Sequence, residues 1–369
     1  MKVDRRLFVN FDWVLLILVL LISCIGLLNL YSAGHNLTYI SGKPLYIKQV
    51  YWILIGLLLM VVSASIDYHF IVRHGYVIYV ISLLLLFWIF VHGNIAHGSQ
   101  RWLILNGFSF QPSELMKLTI IIALTKYITE NKIDDGYHIR SLIVPFVIVC
   151  VPCLLILEQP DLGTALFLFI LFFSIILFTG VSRKTFILFA TSSVLMIPLC
   201  WFLIKNYQRE RILTFLNPER DPLGSGYHII QSIIAVGSGG IWGKGFLQGT
   251  QTQLKFLPEQ QTDFVFSVLA EEWGFSGAVI LMFLFLALIL WGFKIARNSK
   301  DMSGTLISFG VTMFVFWGVF INMGMVLGIL PVVGIPLPFL SYGGSSMVIL
   351  MTGIGLLMNV SMRRFMLQP

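Results

Sequence analysis

Charge is scarce in this chain. Asp, Glu, Lys and Arg make up only 11% of its 369 residues, against about 25% in ordinary soluble domains, while 57% are hydrophobic and the mean hydropathy is +0.90. A soluble domain has no core large enough to hide that much apolar surface, so the soluble globular class is excluded. The 24 Lys and Arg outnumber the 17 Asp and Glu, giving a net +7, yet they do not cluster with the aromatic motifs of RNA-binding modules. Nucleic acid is therefore not an expected partner.

Other absences remove whole chemistries. There are four cysteines, Cys24, Cys150, Cys153 and Cys200, and all lie in apolar runs, where cysteine behaves as a small buried hydrophobe. Cys150 and Cys153 form a C-x-x-C without the thioredoxin-like or Cys/His context that redox or zinc chemistry needs. The seven histidines lack metal-ligand spacing, and neither H-E-x-x-H nor G-x-S-x-G occurs, which removes metalloproteases and serine hydrolases. The glycine stretch over 237–245 is no phosphate-binding P-loop, because Lys244 is followed by Gly245 rather than Ser or Thr. Its glycines suit a backbone that approaches a ligand closely.

What the chain does have is long apolar runs. Ten windows qualify as membrane-spanning helices: 13–33, 47–66, 76–91, 113–128, 141–157, 164–180, 185–204, 276–295, 305–327 and 345–365. The first follows Lys2, Arg5 and Arg6 but runs on for about twenty apolar residues without a small-residue cleavage site, so it reads as a retained anchor rather than a signal peptide. The fold class predicted is all-α, one polytopic membrane domain over 1–369, with one large outer loop over about 205–275 between the seventh and eighth spans.

Orientation follows from the basic residues. With the N-terminus inside, Lys2, Arg5, Arg6, Arg73, Lys126, Lys132, Arg140, Arg183, Lys184, Lys294, Arg297, Lys300, Arg363 and Arg364 lie inside, fourteen of the 24. Only Lys43, Lys48, Arg101 and Lys117 fall in short outer segments, and the other six lie in the long loop, which is too long to count. Both termini are expected in the cytoplasm and the loop outside.

An ionisable group at membrane depth costs about 2.5–3.5 kcal/mol on insertion scales and needs a reason. Arg101, Glu114, Lys117, Glu158, Asp161 and Asp263 are all expected to open to the outer water under this topology. In Gln111-Pro112-Ser113-Glu114, proline and serine suit a helix start, and Glu114 then stands three residues from Lys117 on one face, within pairing reach. That pair reads either as a structural tie or as a cation held ready for an anionic group. Asp161 sits where a helix cap belongs. Asp263, in Gln260-Gln261-Thr262-Asp263-Phe264, borders an apolar run; it fits a helix cap or, with a raised pKa, a general base. The basic, aromatic and apolar mixture over 209–218 suits a helix lying in the interface.

At these residues the chain resembles the SEDS family (shape, elongation, division and sporulation). The resemblance is carried by Gly98-Ser99-Gln100-Arg101-Trp102, Gln111-Pro112-Ser113-Glu114, Gln159-Pro160-Asp161-Leu162-Gly163-Thr164, Gln260-Gln261-Thr262-Asp263-Phe264 and Pro338-Phe339-Leu340-Ser341-Tyr342-Gly343-Gly344-Ser345-Ser346. These five ordered motifs show no departure from the pattern, and the compact ends look more like the RodA branch than FtsW. The resemblance implies a ten-span peptidoglycan glycosyltransferase of the bacterial cytoplasmic membrane. It would polymerise lipid II, a disaccharide-pentapeptide on undecaprenyl pyrophosphate, at the outer face for cell elongation.

By the same resemblance Asp263 takes the place of the family's essential aspartate, and Glu114 with Lys117 that of its buried pair. Arg101, Glu114, Lys117, Asp161, Lys244, Ser341 and Tyr342 are expected to bind substrate, with Gln111, Ser113, Glu158 and Gln260 in support. No nucleotide is needed and no protein-only metal site is expected, though a divalent cation, magnesium or manganese, shared with the pyrophosphate is compatible. The expected partners are a class B penicillin-binding protein, lipid II and membrane lipids. Two rivals come from other classes: a lipid II flippase, and a non-catalytic scaffold for the transpeptidase. A flippase calls for charge along the whole transit path, whereas here the inner halves of the spans are nearly all apolar.

Overall fold

The computed structural model describes residues 10–35, 44–92, 94–96, 99–105, 108–133, 136–203, 206–221, 224–257 and 259–364. Among them are fourteen α-helices: α1 Trp13–Gly34, α2 Leu45–Ser65, α3 Tyr68–Arg73, α4 Gly75–His92, α5 Pro112–Glu130, α6 Ile143–Glu158 and α7 Leu162–Thr179, followed by α8 Arg183–Leu203, α9 Asn206–Leu216, α10 Ser225–Ser238, α11 Thr250–Gln253, α12 Val265–Arg297, α13 Met302–Val326 and α14 Gly344–Arg363. Each of the ten apolar windows falls on one of these helices. Six of them, α1, α2, α7, α12, α13 and α14, are long and apolar enough to cross a membrane by length and composition. Gly75–Val91 and Ile143–Glu158 are apolar but shorter, while α5 is made less apolar by Glu114, Lys117, Lys126 and Glu130.

The helical chain carries one addition that periodicity did not reveal, a small antiparallel sheet of β1 Asn94–Ala96, β2 Ser99–Leu105 and β3 Phe108–Phe110 in the order β1-β2-β3. Its β1–β2 register pairs Asn94 with Trp102 and Ile95 with Gln100, so Arg101 is the extra residue of an irregularity in the ladder. β1 and β3, three residues each, are too short to show a period-2 pattern, and the seven residues of β2 do not alternate.

The chain forms two compact units, Met1–Tyr68 with Thr214–Pro369, and His69–Leu213. In the first, α14 lies along α2, and α12 along α1, α10 and α13. A Cβ at Gly355 would come within 2.4 Å of the Met60 carbonyl, so glycine there sets how closely α14 meets α2. Asn359 of α14 donates to the Ser63 carbonyl at 2.7 Å and accepts from the Tyr68 amide at 3.3 Å, so its side chain satisfies a carbonyl at the C-terminal end of α2. In the second unit α5 packs on α4, α6 and α7. Tyr79 donates to the Ile148 carbonyl and Tyr127 to that of Ser141, both at 2.9 Å, and such bonds between apolar helices matter because hydrocarbon supplies no substitute.

The expected outer loop is folded rather than irregular. It contains α9, α10, α11 and the first turns of α12, which begins at Val265 instead of the expected 276. The reason is Gly274, whose φ of 66° and ψ of −164° interrupt the helix, so the apolar period restarts where the sequence reading placed the span.

Candidate active site

In the second unit Gln111 holds the N-cap position of α5, with Pro112 in the first turn. Glu114 and Lys117, three residues apart, therefore rise on one face, and Lys117 Nζ lies 2.6 Å from Glu114 Oε1. Lys117 is 2% exposed and Glu114 4%. The ammonium also sits 4.9 Å from the Phe167 ring centroid on α7, so its second neighbour is an aromatic face. A pair so deeply buried has given up most of its hydration, and each member depends on the other.

Asp161 does what its position foretold. It caps α7, Oδ1 accepting from the Thr164 amide at 3.1 Å and Oδ2 from the Thr164 hydroxyl at 3.0 Å. Gln111 Nε2 approaches Oδ2 at 3.5 Å, which ties the start of α5 to the start of α7. Ser113 is buried and Glu158 is exposed at the end of α6. Arg101 lies in β2, and its side chain falls outside the described residues.

In the first unit Asp263 lies two residues before α12, whose N-cap position is Phe264 without a side-chain cap. The capping role weighed for Asp263 is thus not the arrangement found. Asn322 Nδ2, on α13, donates to the Asp263 carbonyl at 3.0 Å and to the Ile335 carbonyl at 2.8 Å. Ser341 Oγ donates to the Thr262 carbonyl at 2.6 Å and accepts from the Leu337 amide at 2.8 Å. The Tyr342 amide donates to the Gln261 carbonyl at 2.8 Å, Gln260 Nε2 donates to the Ala33 carbonyl at 2.8 Å, and Gln49 Nε2 reaches the Ser341 carbonyl at 3.2 Å. The expected site residues Gln260, Asp263, Ser341 and Tyr342 are thus brought together, with Ser341 and Tyr342 serving as a bracket for the strand of chain that bears the aspartate. Burial pushes the Tyr342 phenol pKa up. The Asp263 carboxylate is half-buried, and a Cβ on Gly334 would come 3.4 Å from its Oδ2.

Sequence reasoning missed Asn322, Gln49 and Asn29, the last donating to the Val265 carbonyl at 2.7 Å. Each is a lone amide in an apolar helix, and its rarity at membrane depth was the available signal. It also missed Glu271, fully buried, whose carboxylate collects Lys244 Nζ at 2.7 Å, the Gln251 amide at 2.9 Å and the Thr252 amide and hydroxyl at 3.2 and 3.0 Å. Lys244 is thereby committed to an ion pair. The neighbouring Glu272 accepts from Ser32. The glycines of 237–245 do permit a close approach, and the partner is the chain's own α12: Lys244 and Gly245 amides donate to the Glu271 and Glu272 carbonyls at 3.0 Å each, and a Cβ on Gly274 would come 2.2 Å from the Gly243 nitrogen. Among the described residues no three His, Cys, Asp or Glu side chains converge as a metal-binding group.

With this geometry in hand, comparison with known proteins gives concordant results. The family model for cell cycle proteins of the FtsW, RodA and SpoVE type matches residues 12–365. The peptidoglycan glycosyltransferase MrdB of Escherichia coli (strain K12) is 39% identical over 362 residues, covering 97% of this chain and 95% of that protein. The peptidoglycan glycosyltransferase RodA of Treponema pallidum (strain Nichols) is 34% identical, covering 96% and 98%. Among solved structures, a chain of a peptidoglycan synthase complex, described for its coordination of polymerization and crosslinking, superposes with a TM-score of 0.82 at 34% identity, covering 96% of this chain and 98% of that one. The rod shape determining protein RodA of Thermus thermophilus superposes with a TM-score of 0.71 at 29% identity, covering 96% and 98%.

Proposed function

This chain belongs to the family of FtsW, RodA and SpoVE cell cycle proteins, and on that footing we propose that it is a RodA-type peptidoglycan glycosyltransferase that joins lipid II disaccharides into glycan strands at the outer face of the cytoplasmic membrane. The observation that carries the reading is the mounting of Asp263. Its main chain is fixed by Asn322, its neighbours by Ser341, Tyr342 and Gln260, and its carboxylate stays partly accessible. A base must be held in place to be effective, and here the holding is done by Asn322 on α13, by Ser341 and Tyr342 in the segment before α14, and by the bond from Gln260 to the end of α1.

The reaction asks for little else. An acceptor sugar hydroxyl forms a bond to the anomeric carbon of the donor, its proton passes to the Asp263 carboxylate, and the bond from that carbon to the pyrophosphate oxygen breaks. The leaving undecaprenyl pyrophosphate takes the electron pair, and cations favour its departure. Lys244, in the same unit as Asp263, is a candidate for that service; it is already paired with Glu271, so it would serve as part of a neutral couple. A divalent cation, if used, would draw ligands from the pyrophosphate itself. The partner proposed is a class B penicillin-binding protein, the crosslinking counterpart of this polymerase.

The test is polymerisation by the purified full chain with its transpeptidase partner, given labelled lipid II in detergent. Long glycan strands are expected from the wild type and none from Asp263→Ala. Since detergent removes sidedness, a flippase or a silent scaffold gives no polymer with either, and normal polymer from Asp263→Ala removes the aspartate from the role of base.

A further inference from the structure

Two helices of the first unit give a scale of depth for the start of α12. On α1, the Asn29 side chain donates to the Val265 carbonyl at 2.7 Å, and one turn farther along the Ser32 hydroxyl donates to Glu272 Oε1. On α13, Asn322 holds the Asp263 carbonyl, and one turn farther along the Val326 carbonyl accepts from Ser232 at 2.7 Å, whose Oγ lies 2.9 Å from that of Ser267. Both scales have the chain climbing from Asp263 to Glu272, toward the surface on which α1 and α13 end. Past Gly274 it descends again, and Trp291 Nε1 reaches Asp12 at the start of α1 at 3.0 Å.

Gly274 is thus a crest, and the 240–245 turn is built into it. The Lys244 and Gly245 amides donate to the Glu271 and Glu272 carbonyls, while the Phe275 and Ser276 amides donate to the Gly240 and Ile241 carbonyls at 2.9 and 3.0 Å. An uninterrupted helix would pair those carbonyls and amides with one another. The height of the crest follows from α1, whose 22 residues span roughly 33 Å at 1.5 Å per residue, close to the hydrocarbon thickness of about 30 Å. Glu272 meets Ser32, two residues from the end of that helix. The crest therefore stands at the headgroup level.

What it presents there is apolar. Trp242 is 82% exposed, Phe275 67% and Ile241 64%, and exposed apolar patches of this kind mark a contact surface. The neighbour is indicated by continuity. From Phe275, the exposed residues Met282, Leu286 and Leu290 follow on α12 at the spacing of one helical face. That face crosses the bilayer and meets hydrocarbon, and Phe275 is its outermost member. Tryptophan at such a boundary favours the headgroup region, where its ring is part apolar and part wet.

We propose that Ile241, Trp242 and Phe275 sit in the outer leaflet of the bilayer, as an interfacial anchor that sets the height of the segment leading back to Asp263. The lipid contact follows from the geometry of the crest; its bearing on Asp263 rests on the polymerase reading.

The test uses the full chain, with its native cysteines replaced by alanine, in nanodiscs of phosphatidylethanolamine and phosphatidylglycerol. A nitroxide is placed at residue 242 or, as a second reading on a separate variant, at 241. Power saturation compares relaxation by oxygen, which enters lipid, with relaxation by a water-soluble nickel chelate. Both labels are expected to favour oxygen, at a depth of about 5–10 Å, and a label at the exposed, polar Gln248 to favour the chelate. Chelate access at 241 and 242 equal to that at 248 overturns the anchor. Shielding that arises only when the transpeptidase partner is added marks a protein-binding surface and overturns it equally. For the bearing on Asp263, Ile241→Ser combined with Trp242→Ser is expected to lower polymerisation about tenfold in proteoliposomes and to leave it nearly unchanged in detergent, where no bilayer plane exists. An equal fall in both overturns the height-setting role. If the wild type makes no polymer in either medium, the polymerase reading fails, while the nitroxide depths still decide the anchor.

Discussion

Asn322 and Asp263 are joined through the main chain: the amide of one holds the carbonyl of the other at 3.0 Å, and the same Nδ2 holds the Ile335 carbonyl at 2.8 Å. Asn322 itself is fully buried on α13, so a membrane helix fixes the position of the aspartate without touching its carboxylate. Replacing it by leucine leaves two buried carbonyls unpaired at about 1–3 kcal/mol each. Asn322→Leu is expected to cut polymerisation by tenfold or more, since displacements of about 1 Å cost that much, with a smaller change in lipid II KM than in kcat. A variant with normal kcat shows that the tether has no role in placing the base.

The Glu114–Lys117 pair gives a prediction about stability. Glu114→Ala removes the carboxylate that lies 2.6 Å from an ammonium 2% exposed, and breaking a buried pair costs about 3–5 kcal/mol. Thermal unfolding in detergent should fall clearly for the single variant and recover in part when Glu114→Lys is combined with Lys117→Glu. If the reversed pair unfolds no later than the single variant, the attraction between the two is not what holds them there.

Gly274 should tolerate no side chain. A left-handed backbone costs an L-residue about 1–2 kcal/mol, and here a Cβ would also come within 2.2 Å of the Gly243 nitrogen. Gly274→Ala is expected to reduce the yield of folded, monodisperse protein severely, while Gly237→Ala, which meets nothing within 4 Å, should be near neutral. Size-exclusion profiles of the two compare them directly.

His228 supplies a pH dependence. Its ring stacks on Phe264 at 6.1 Å, and burial lowers its pKa from 6.5, against the opposing pull of Glu259 and Asp221. The folded protein thus disfavours the protonated ring, and the unfolded chain binds the extra proton first. Stability should therefore be full above about pH 6.5 and decline as pH falls below it. Thermal midpoints of the wild type and His228→Gln, followed through that range, should converge on acidification; a constant gap between them shows that His228 does not titrate in this way.

Sidedness can be read in intact cells. Single cysteines placed near residue 250 should react with an impermeant thiol reagent and those near residue 298 should not. The reverse pattern inverts the proposed topology and removes the polymerase from the outer face.

Much of the helical architecture was legible because a membrane span needs only length and apolarity, and both are local: all ten windows fall on helices. The cap at Asp161 and the pairing of Glu114 with Lys117 were legible for the same reason, each depending on residues three apart. The sheet of β1, β2 and β3 was not, because two of its strands have three residues each and the third does not alternate apolar with polar residues. Nor were the partners of Glu271, which come from 244–252, or the role of Ser341 as a bracket 79 residues from its partner Thr262. Such bonds arise only when distant segments meet, and no periodicity announces them. The start of α12 was misplaced because Gly274 divides one helix into two periods.

That division has a mechanical meaning. Both sides of Gly274 are fastened to the 240–245 turn: the Lys244 and Gly245 amides donate to the Glu271 and Glu272 carbonyls, and the Phe275 and Ser276 amides donate to the Gly240 and Ile241 carbonyls. The helix is jointed, and Asp263 is carried on the short arm. With both arms bonded to one turn, the joint is clamped rather than free, and the segment that carries Asp263 is held at a set angle to the long arm.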